Sequence, residues 1–169
     1  KLKTKNLKLK KVEGDVLIIN NYHRKAGRQV VEILLNDIKR SEGKFFISVA
    51  GESGAGKSEV AASIAAALEK ENITSYIFAQ DDYFVYPPKT NESKRKEDIG
   101  WVGMQEVKLS LLDEELAALR RGDNLIEKPL VIFDEDRITS EKVDLSPFRV
   151  IIAEGTYTTA LKNTDARVF

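Results

Sequence analysis

One segment of eight residues constrains the fold of this chain more than any other feature of its sequence. Residues 51–58 read Gly-Glu-Ser-Gly-Ala-Gly-Lys-Ser and match the phosphate-loop pattern G-x-x-x-x-G-K-[ST]. The apolar run of residues 45–50 before the loop is typical of a buried strand. The helical spacing of Val60, Ile64 and Leu68 follows the loop. Strand, glycine loop and helix in this order predict a site where backbone N–H groups and the positive end of a helix hold phosphate oxygens.

The side chains of this loop predict how a nucleotide is held. Lys57 is expected to reach the β- and γ-phosphates, and the Ser58 hydroxyl is expected to ligate Mg²⁺. The alternative is an ordinary glycine-rich turn, which the flanking strand and helix disfavour. The predicted nucleotide-binding residues are Gly51, Glu52, Ser53, Gly54, Ala55, Gly56, Lys57, Ser58 and Glu59.

Two further strands are predicted to end in acidic residues at the same edge of the sheet. The apolar run of residues 74–79 leads into Asp81 and Asp82, and residues 150–153 lead into Glu154. Because ligands bind at the carboxyl ends of parallel strands in open α/β folds, we expect one acid of the pair to be functional; a strand-end turn or a helix cap is the alternative. Glu154 is interpreted as a Walker-B-like acid that holds Mg²⁺ directly or through water.

The composition excludes several other classes of function. The chain has 169 residues, enough for a single domain with a buried core. It contains no Cys, which excludes disulfides, thiolate metal sites and cysteine nucleophiles. Its 27 basic and 27 acidic residues balance, so no electrostatic argument favours nucleic acid or an anionic membrane as a partner. The longest early apolar run, residues 16–19, is too short for a signal-peptide core or a membrane span, and we expect a cytoplasmic protein.

The first 43 residues are predicted to form an N-terminal strand-and-helix extension to a core of residues 44–169. Residues 1–14 alternate Lys with Leu and favour a frayed tail or an edge strand over a basic nucleic-acid arm, because no aromatic residues are interleaved. Residues 15–19 predict a short strand and residues 24–40 a helix. The pattern does not indicate what this extension does.

Three other regions lead to specific expectations. His23 lies in a polar stretch and is predicted to be a solvated surface residue. Residues 83–106 lack a clear period, and their aromatic residues beside the acid pair favour a long substrate-binding loop. A leucine pattern predicts a helix that stops at Gly122, and Pro129 in an apolar run predicts an edge hairpin. Together the elements predict a three-layer α/β P-loop fold with a mainly parallel sheet between helices.

Over residues 45–169 the sequence resembles the phosphoribulokinase and uridine kinase family. The resemblance rests on the glycine loop, the segments 81–84, 116–122, 127–129 and 150–155, and Arg137, in the family's order and spacing. It implies a kinase that moves the γ-phosphoryl group of ATP to a hydroxyl of a small-molecule acceptor, with Mg²⁺ as cofactor.

The resemblance also implies roles for individual residues. Asp81 matches the catalytic carboxylate that accepts the hydroxyl proton and lies near Mg²⁺, and it would act with Lys57 in catalysis. Glu154 matches the metal-associated acid, so the implied metal site comprises Ser58, Glu154 and Asp81. The implied substrate-binding residues are Asp82, Tyr83, Phe84, Trp101 and Arg137.

The sequence departs from the family pattern on the acceptor side. Trp101 keeps the aromatic residue of an element that holds ribose in uridine kinases, but the Asp of that element is lost. The Tyr expected after Pro129 falls on Val131, and a base-contacting His is replaced by Glu135 or Asp136. These departures disfavour uridine and cytidine, and the segments 81–83 and 127–129 lean toward the phosphoribulokinase side. The family's arginine-bearing lid is expected beyond residue 169, so we expect a fragment, or a core without its lid, with weak or absent transfer.

Two other classes of function remain as alternatives. A nucleotide-driven switch or motor is disfavoured, because neither the GTPase patterns Asp-x-x-Gly and Asn-Lys-x-Asp nor a Leu-Ser-Gly-Gly signature occurs. A regulatory module that binds nucleotide without turnover stays open, since the acceptor positions are altered. The sequence indicates neither the acceptor nor the oligomeric state, and a homo-oligomer remains one option.

Overall fold

The computed structural model describes residues 17–169, so the expectations for residues 1–16 lie outside the described residues. The helices and strands are α1 (Asn21–Arg40), β1 (Phe45–Val49), α2 (Lys57–Lys70), β2 (Ser75–Ala79), α3 (Pro88–Glu97), α4 (Leu109–Arg121), β3 (Leu125–Ile132), β4 (Arg137–Asp144), β5 (Val150–Glu154) and β6 (Ala166–Val168). Short 3₁₀ turns cover Gln80–Tyr83, Ile99–Trp101, Met104–Glu106 and Thr158–Ala160. No helix in the described ranges is both long and apolar enough to cross a bilayer.

The main sheet is parallel and has the strand order β2-β5-β1-β6. All five residues of β1 and of β5 are buried, as expected for central strands that helices cover on both faces. Successive side chains of β1 point to opposite faces of the sheet, as in any strand. Phe45, Ile47 and Val49 join the core beneath α1 and α2, whereas Phe46 joins the core beneath α4. The predicted α/β fold with helices around a mainly parallel sheet is confirmed.

Helix α1 starts earlier than the sequence predicted and packs along α2. It begins at Asn21 instead of residue 24, and its Gly27 lies directly against the backbone of Ser63. The two helices run in the same direction, because His23 meets Gly56 at the start of α2, and Gly27, about one turn later in α1, meets Ser63, about two turns later in α2. The strand predicted at residues 15–19 does not form over residues 17–19, which pair with no strand among the described residues.

The prediction of a long loop over residues 83–106 is wrong, because helix α3 occupies the middle of this segment. Pro88 opens this helix at a position where its missing N–H costs nothing. Only Asn91 of α3 is buried, so the helix has no apolar face to give a sequence period.

The predicted hairpin is confirmed as the antiparallel pair β3 and β4, with Pro129 opposite Ser140. Among the described residues this sheet has two strands, so each is an edge strand that tolerates the proline. The turn of the hairpin reaches α3. Asp136 accepts hydrogen bonds from the Lys89 N–H at 2.7 Å and the Thr90 hydroxyl at 2.8 Å, in the first turn of that helix.

Candidate active site

The phosphate loop joins β1 to α2 with the backbone geometry that its glycines permit. Gly54 and Gly56 have φ values of +76° and +81°, which side chains other than glycine rarely adopt. Helix α2 then begins at Lys57, so its free N–H groups face the loop. The Lys57 ammonium donates a hydrogen bond to the Glu52 carbonyl at 2.8 Å, across the mouth of the loop.

The strand register brings the predicted catalytic groups to one edge of the sheet. Val49 of β1 and Ala79 of β2 both pair with Glu154 of β5. The loop after β1, Asp81 after β2 and the carboxylate that ends β5 therefore lie at adjacent carboxyl ends.

Glu154 is a buried acid whose surroundings favour the protonated form. Burial is the main cause that raises its pKa to about 7, and the negative charge of Asp81 adds to it. A hydrogen bond from the Ser58 hydroxyl at 3.3 Å and the positive charge of Lys57 oppose the shift. The pKa of Glu154 depends on the charges of Asp81 and Lys57, and Ser58 is hydrogen-bonded to Glu154. These four side chains are therefore close enough to interact electrostatically.

The donor chemistry at this edge fits a magnesium ion. The Ser58 hydroxyl and the Glu154 carboxylate are hard oxygen donors in hydrogen-bond contact, and the Asp81 carboxylate is near. Within residues 17–169 no group of three or more acidic, His or Cys side chains could hold a metal alone. Mg²⁺ usually keeps several waters and takes its other ligands from substrate phosphates, so the residues that would hold it here are Ser58, Glu154 and Asp81.

Two residues that the sequence did not single out hold this edge together. The Gln80 side-chain oxygen accepts the Tyr157 N–H at 2.7 Å, and the Thr158 hydroxyl donates to the Val49 carbonyl at 3.1 Å. Both side chains are buried. Neither has a sequence signal of its own, because each depends on strand neighbours that are remote along the chain.

Asp82 and Tyr83, predicted to bind substrate, make internal contacts. Asp82 accepts hydrogen bonds from the Lys128 ammonium at 2.7 Å and the Val131 N–H at 3.1 Å, which ties the turn after β2 to the hairpin. Tyr83 is fully buried, and its hydroxyl donates to Glu115. These contacts favour a positioning role for both residues, and their substrate-binding role stays a prediction that the geometry does not support.

The other predicted substrate residues surround α3 and the hairpin. The Trp101 indole N–H donates to the Asn91 side chain at 2.8 Å, and Asn91 in turn donates to the buried Glu106 at 2.8 Å. Phe84 lies beneath the guanidinium of Arg95, 5.6 Å from the ring centre. Arg137 pairs with Glu135 at 2.7 Å on the surface. In the described structure none of these contacts joins Trp101, Phe84 or Arg137 to the edge that carries Asp81, so their role in binding stays a prediction.

The prediction that His23 is a solvated surface residue is wrong. Its side chain is 7% exposed, because the parallel packing of α1 on α2 places it against Gly56 of the phosphate loop. Its Nδ1 accepts the Asn20 N–H at 3.2 Å, at the start of α1. The spacing of Asn20 and His23 resembles a capping box and is the one sequence signal that could have indicated an ordered role.

Comparisons with known proteins agree with this geometry. The model of the phosphoribulokinase/uridine kinase family matches residues 46–167. A uridine kinase of Ureaplasma parvum is 29% identical over 111 residues, which are 66% of this chain and 52% of that protein. The bifunctional α-galactosidase/sucrose kinase AgaSK of Mediterraneibacter gnavus is 27% identical over 144 residues, 79% of this chain and 15% of that protein. The chain thus spans about half the length of the uridine kinase that it matches.

Two solved structures share the fold. A structure described as a possible uridine kinase from Bacillus stearothermophilus has a TM-score of 0.67 and 19% identity, covering 83% of this chain and 78% of that one. A D-glycerate 3-kinase from Cryptococcus neoformans has a TM-score of 0.55 and 18% identity, covering 80% of this chain and 52% of that one.

Proposed function

The chain belongs to the phosphoribulokinase/uridine kinase family, and from that premise we propose that it transfers the γ-phosphoryl group of Mg-ATP to a hydroxyl of a small metabolite. The observation that carries the proposal is the convergence of Lys57, Ser58, Asp81 and Glu154 at the carboxyl ends of three adjacent strands. Phosphoryl transfer needs this set, because its catalysis is mostly positioning and the stabilisation of negative charge.

Each group has a distinct part in the proposed reaction. The Lys57 ammonium exchanges its bond to the Glu52 carbonyl for the β- and γ-phosphate oxygens. Ser58 and Glu154 are the residues that would hold Mg²⁺, which supplies positive charge to neutralise the phosphate oxygens. Asp81 accepts the proton of the acceptor hydroxyl, for which its exposed position at the end of β2 suits it.

The acceptor is proposed only as a class. The named relatives are kinases for uridine, for sucrose and for D-glycerate, all of which offer hydroxyl groups. Val131, and either Glu135 or Asp136, replace residues that the family resemblance assigns to nucleoside contact, and Asp136 instead caps α3. We therefore propose a nucleoside, a sugar phosphate or a similar hydroxyl-bearing metabolite as the acceptor. The proposal includes a cytoplasmic setting and no nucleic-acid or membrane partner.

ADP release from Mg-ATP across a panel of acceptors tests the proposal. The panel includes uridine, cytidine, ribulose 5-phosphate, pantothenate and glycerate. We expect one class of acceptor to stimulate ADP release, and Lys57→Ala to abolish both the stimulation and tight Mg-ATP binding. Unchanged ATP affinity in Lys57→Ala would remove the phosphate-loop assignment.

A nucleotide-binding regulatory module is the second candidate, and one observation favours it. Asp82, Tyr83 and Arg137, three of the residues predicted for substrate, are already engaged by other side chains. Tight Mg-ATP binding with no response to any acceptor would support this candidate over the kinase.

A further inference from the structure

A cleft of about 480 Å³ separates the phosphate loop from the segment that precedes and begins α1. Its volume lies within the range of roughly 300 to 1,000 Å³ that is usual for small-molecule sites. One wall is formed by residues 54–59 of the loop and the start of α2. The other wall comprises Leu17, Ile18, Asn20, Tyr22 and His23.

The cleft begins at the phosphate loop, where Lys57 and Ser58 both line it, and extends away from the edge at which the γ-phosphoryl group would be transferred. Transfer of the γ-phosphoryl group takes place at the edge that carries Asp81 and Glu154, and neither acid lines the cleft. Glu52 and Ser53, at the first part of the loop, are also absent from its lining. The cleft instead adjoins the start of α2, where N–H groups hold the phosphates nearer the nucleoside.

The outer wall offers an aromatic surface and a hydrogen-bond donor. Tyr22 is 66% exposed, with its ring centre 4.1 Å from that of His23, and Ile18 beside it is equally exposed. Because Nδ1 of His23 accepts the Asn20 N–H, the proton of the neutral ring is on Nε2. That nitrogen lies against Gly56, where an added Cβ would come within 2.9 Å of it, and no hydrogen bond to it is present among residues 17–169.

Close helix packing fixes this wall relative to the loop. A Cβ on Gly27 would lie 2.5 Å from the Ser63 carbonyl carbon, so α1 approaches α2 as closely as only glycine permits. The far end of α1 is also anchored, since the Arg149 guanidinium donates to the carbonyls of Ile38 and Ser41 at 2.7 and 2.6 Å. Tyr22 and His23 are therefore carried on a rigid element.

We propose that this N-terminal segment completes the nucleotide site: Tyr22 covers the base and sugar of ATP, and the His23 Nε2–H donates a hydrogen bond to the nucleoside half. The inference rests on the proposed nucleotide binding and extends it to residues outside the family match, which starts at residue 46. Aromatic stacking on a base contributes enough affinity to be measured when it is removed.

Calorimetric titration of the full-length protein with Mg-ATP and, separately, with Mg-tripolyphosphate tests the proposal. Tripolyphosphate probes the phosphate loop alone. We expect Tyr22→Ala and His23→Leu each to weaken ATP binding roughly tenfold while tripolyphosphate binding stays within about twofold. His23→Gln should retain most of the ATP affinity, since the amide can accept from Asn20 and still donate outward. Ile33→Ala, at an α1 residue 76% exposed away from the cleft, is the matched control.

The possible outcomes distinguish a failure of this inference from a failure of the proposed function on which it rests. Unchanged ATP affinity in Tyr22→Ala and His23→Leu, with affinity lost in Lys57→Ala, would overturn the inference and leave the kinase proposal standing. Equal losses for ATP and tripolyphosphate would also overturn it, because the residues would then support only the loop. A wild-type protein that binds neither ligand would overturn the proposed function itself. If His23→Leu does not fold, the titrations of Tyr22→Ala alone test the inference, because Tyr22 is exposed and its replacement should not disturb the fold.

Discussion

Gly155 is the residue that most closely determines how the ends of β2 and β5 meet. Its φ is +154°, and a Cβ added there would lie 2.2 Å from the Cβ of Gln80. Gln80 directly precedes Asp81, and its side chain accepts the Tyr157 N–H. The missing side chain at Gly155 therefore allows the proposed catalytic carboxylate to approach the proposed metal-binding edge.

Replacing Gly155 with Ala should move Gln80 and with it Asp81. We expect a loss of roughly 2 to 3 kcal/mol in the free energy of unfolding, because the clash involves two constrained strand ends. Acceptor-stimulated ADP release should fall more than ATP affinity. Urea unfolding and the ADP assay measure both effects. Gly43→Ala is the control, since Gly43 has φ of +74° with no atom near an added Cβ and so isolates backbone strain from the clash.

Asp81→Asn should spare Mg-ATP binding and lower phosphoryl transfer by roughly 10²- to 10⁴-fold, the usual contribution of a general base. Single-turnover transfer and nucleotide titration measure the two quantities. Asp82→Asn serves as a contrast, because it weakens the bond to the buried Lys128 and should reduce stability instead. Persistent transfer in Asp81→Asn would show that another group takes the proton.

Among the secondary structure elements, most of those with an apolar pattern were predictable, with the apolar run at residues 17–19 as an exception that forms no strand, whereas α3, which has no such pattern, was not predicted. The runs at Phe45–Val49 and Val150–Glu154 predicted central strands, because such strands are buried on both faces. Helix α3 escaped prediction since it exposes nearly all of its surface. The loop and acids of the site follow from local sequence, whereas the position of His23 depends on the packing of α1 on α2, which no single segment encodes.

Asp136 joins the hairpin to the first turn of α3. The Asp136 carboxylate caps α3 from the hairpin, because it accepts hydrogen bonds from the Lys89 N–H and the Thr90 hydroxyl. Asp136→Ala removes this acceptor. We expect a lower free energy of unfolding and faster amide exchange across Pro88–Glu97. Asp134→Ala is the matched control, because that residue contributes only its backbone carbonyl to Lys89. Equal exchange rates in the two variants would mean that Asp136 does not hold the helix.

For the whole molecule, buried carboxyl groups couple stability to pH in opposite directions. Burial opposes ionisation of Glu106, but hydrogen bonds from Arg95, Gly103 and Asn91 together hold its pKa below the usual value. Burial instead raises the pKa of Glu154 and of Glu115 to about 7. Stability should therefore fall at acid pH as Glu106 becomes protonated, and the other two should lower it as pH rises from 4.5 through about 7 and they ionise.

Glu115→Gln should reduce the loss of stability that accompanies the rise in pH from 4.5 to about 7. The folded state holds a proton on Glu115 up to a pKa of about 7, above the ordinary value of 4.5, so the folded chain binds more protons than the unfolded chain between these values. Its contribution to stability is complete below pH 4.5 and is lost as pH rises through about 7. Urea unfolding without Mg²⁺ should show a decline between pH 5 and 8 that is smaller in Glu115→Gln by roughly 1 to 3 kcal/mol. The exposed neighbour Glu114→Gln is the control and should keep the wild-type slope. If stability depends on pH in the same way in wild type and Glu115→Gln, Glu115 ionises normally beside Tyr83. Burial of this α4 side chain then does not determine how the stability of the fold responds to pH.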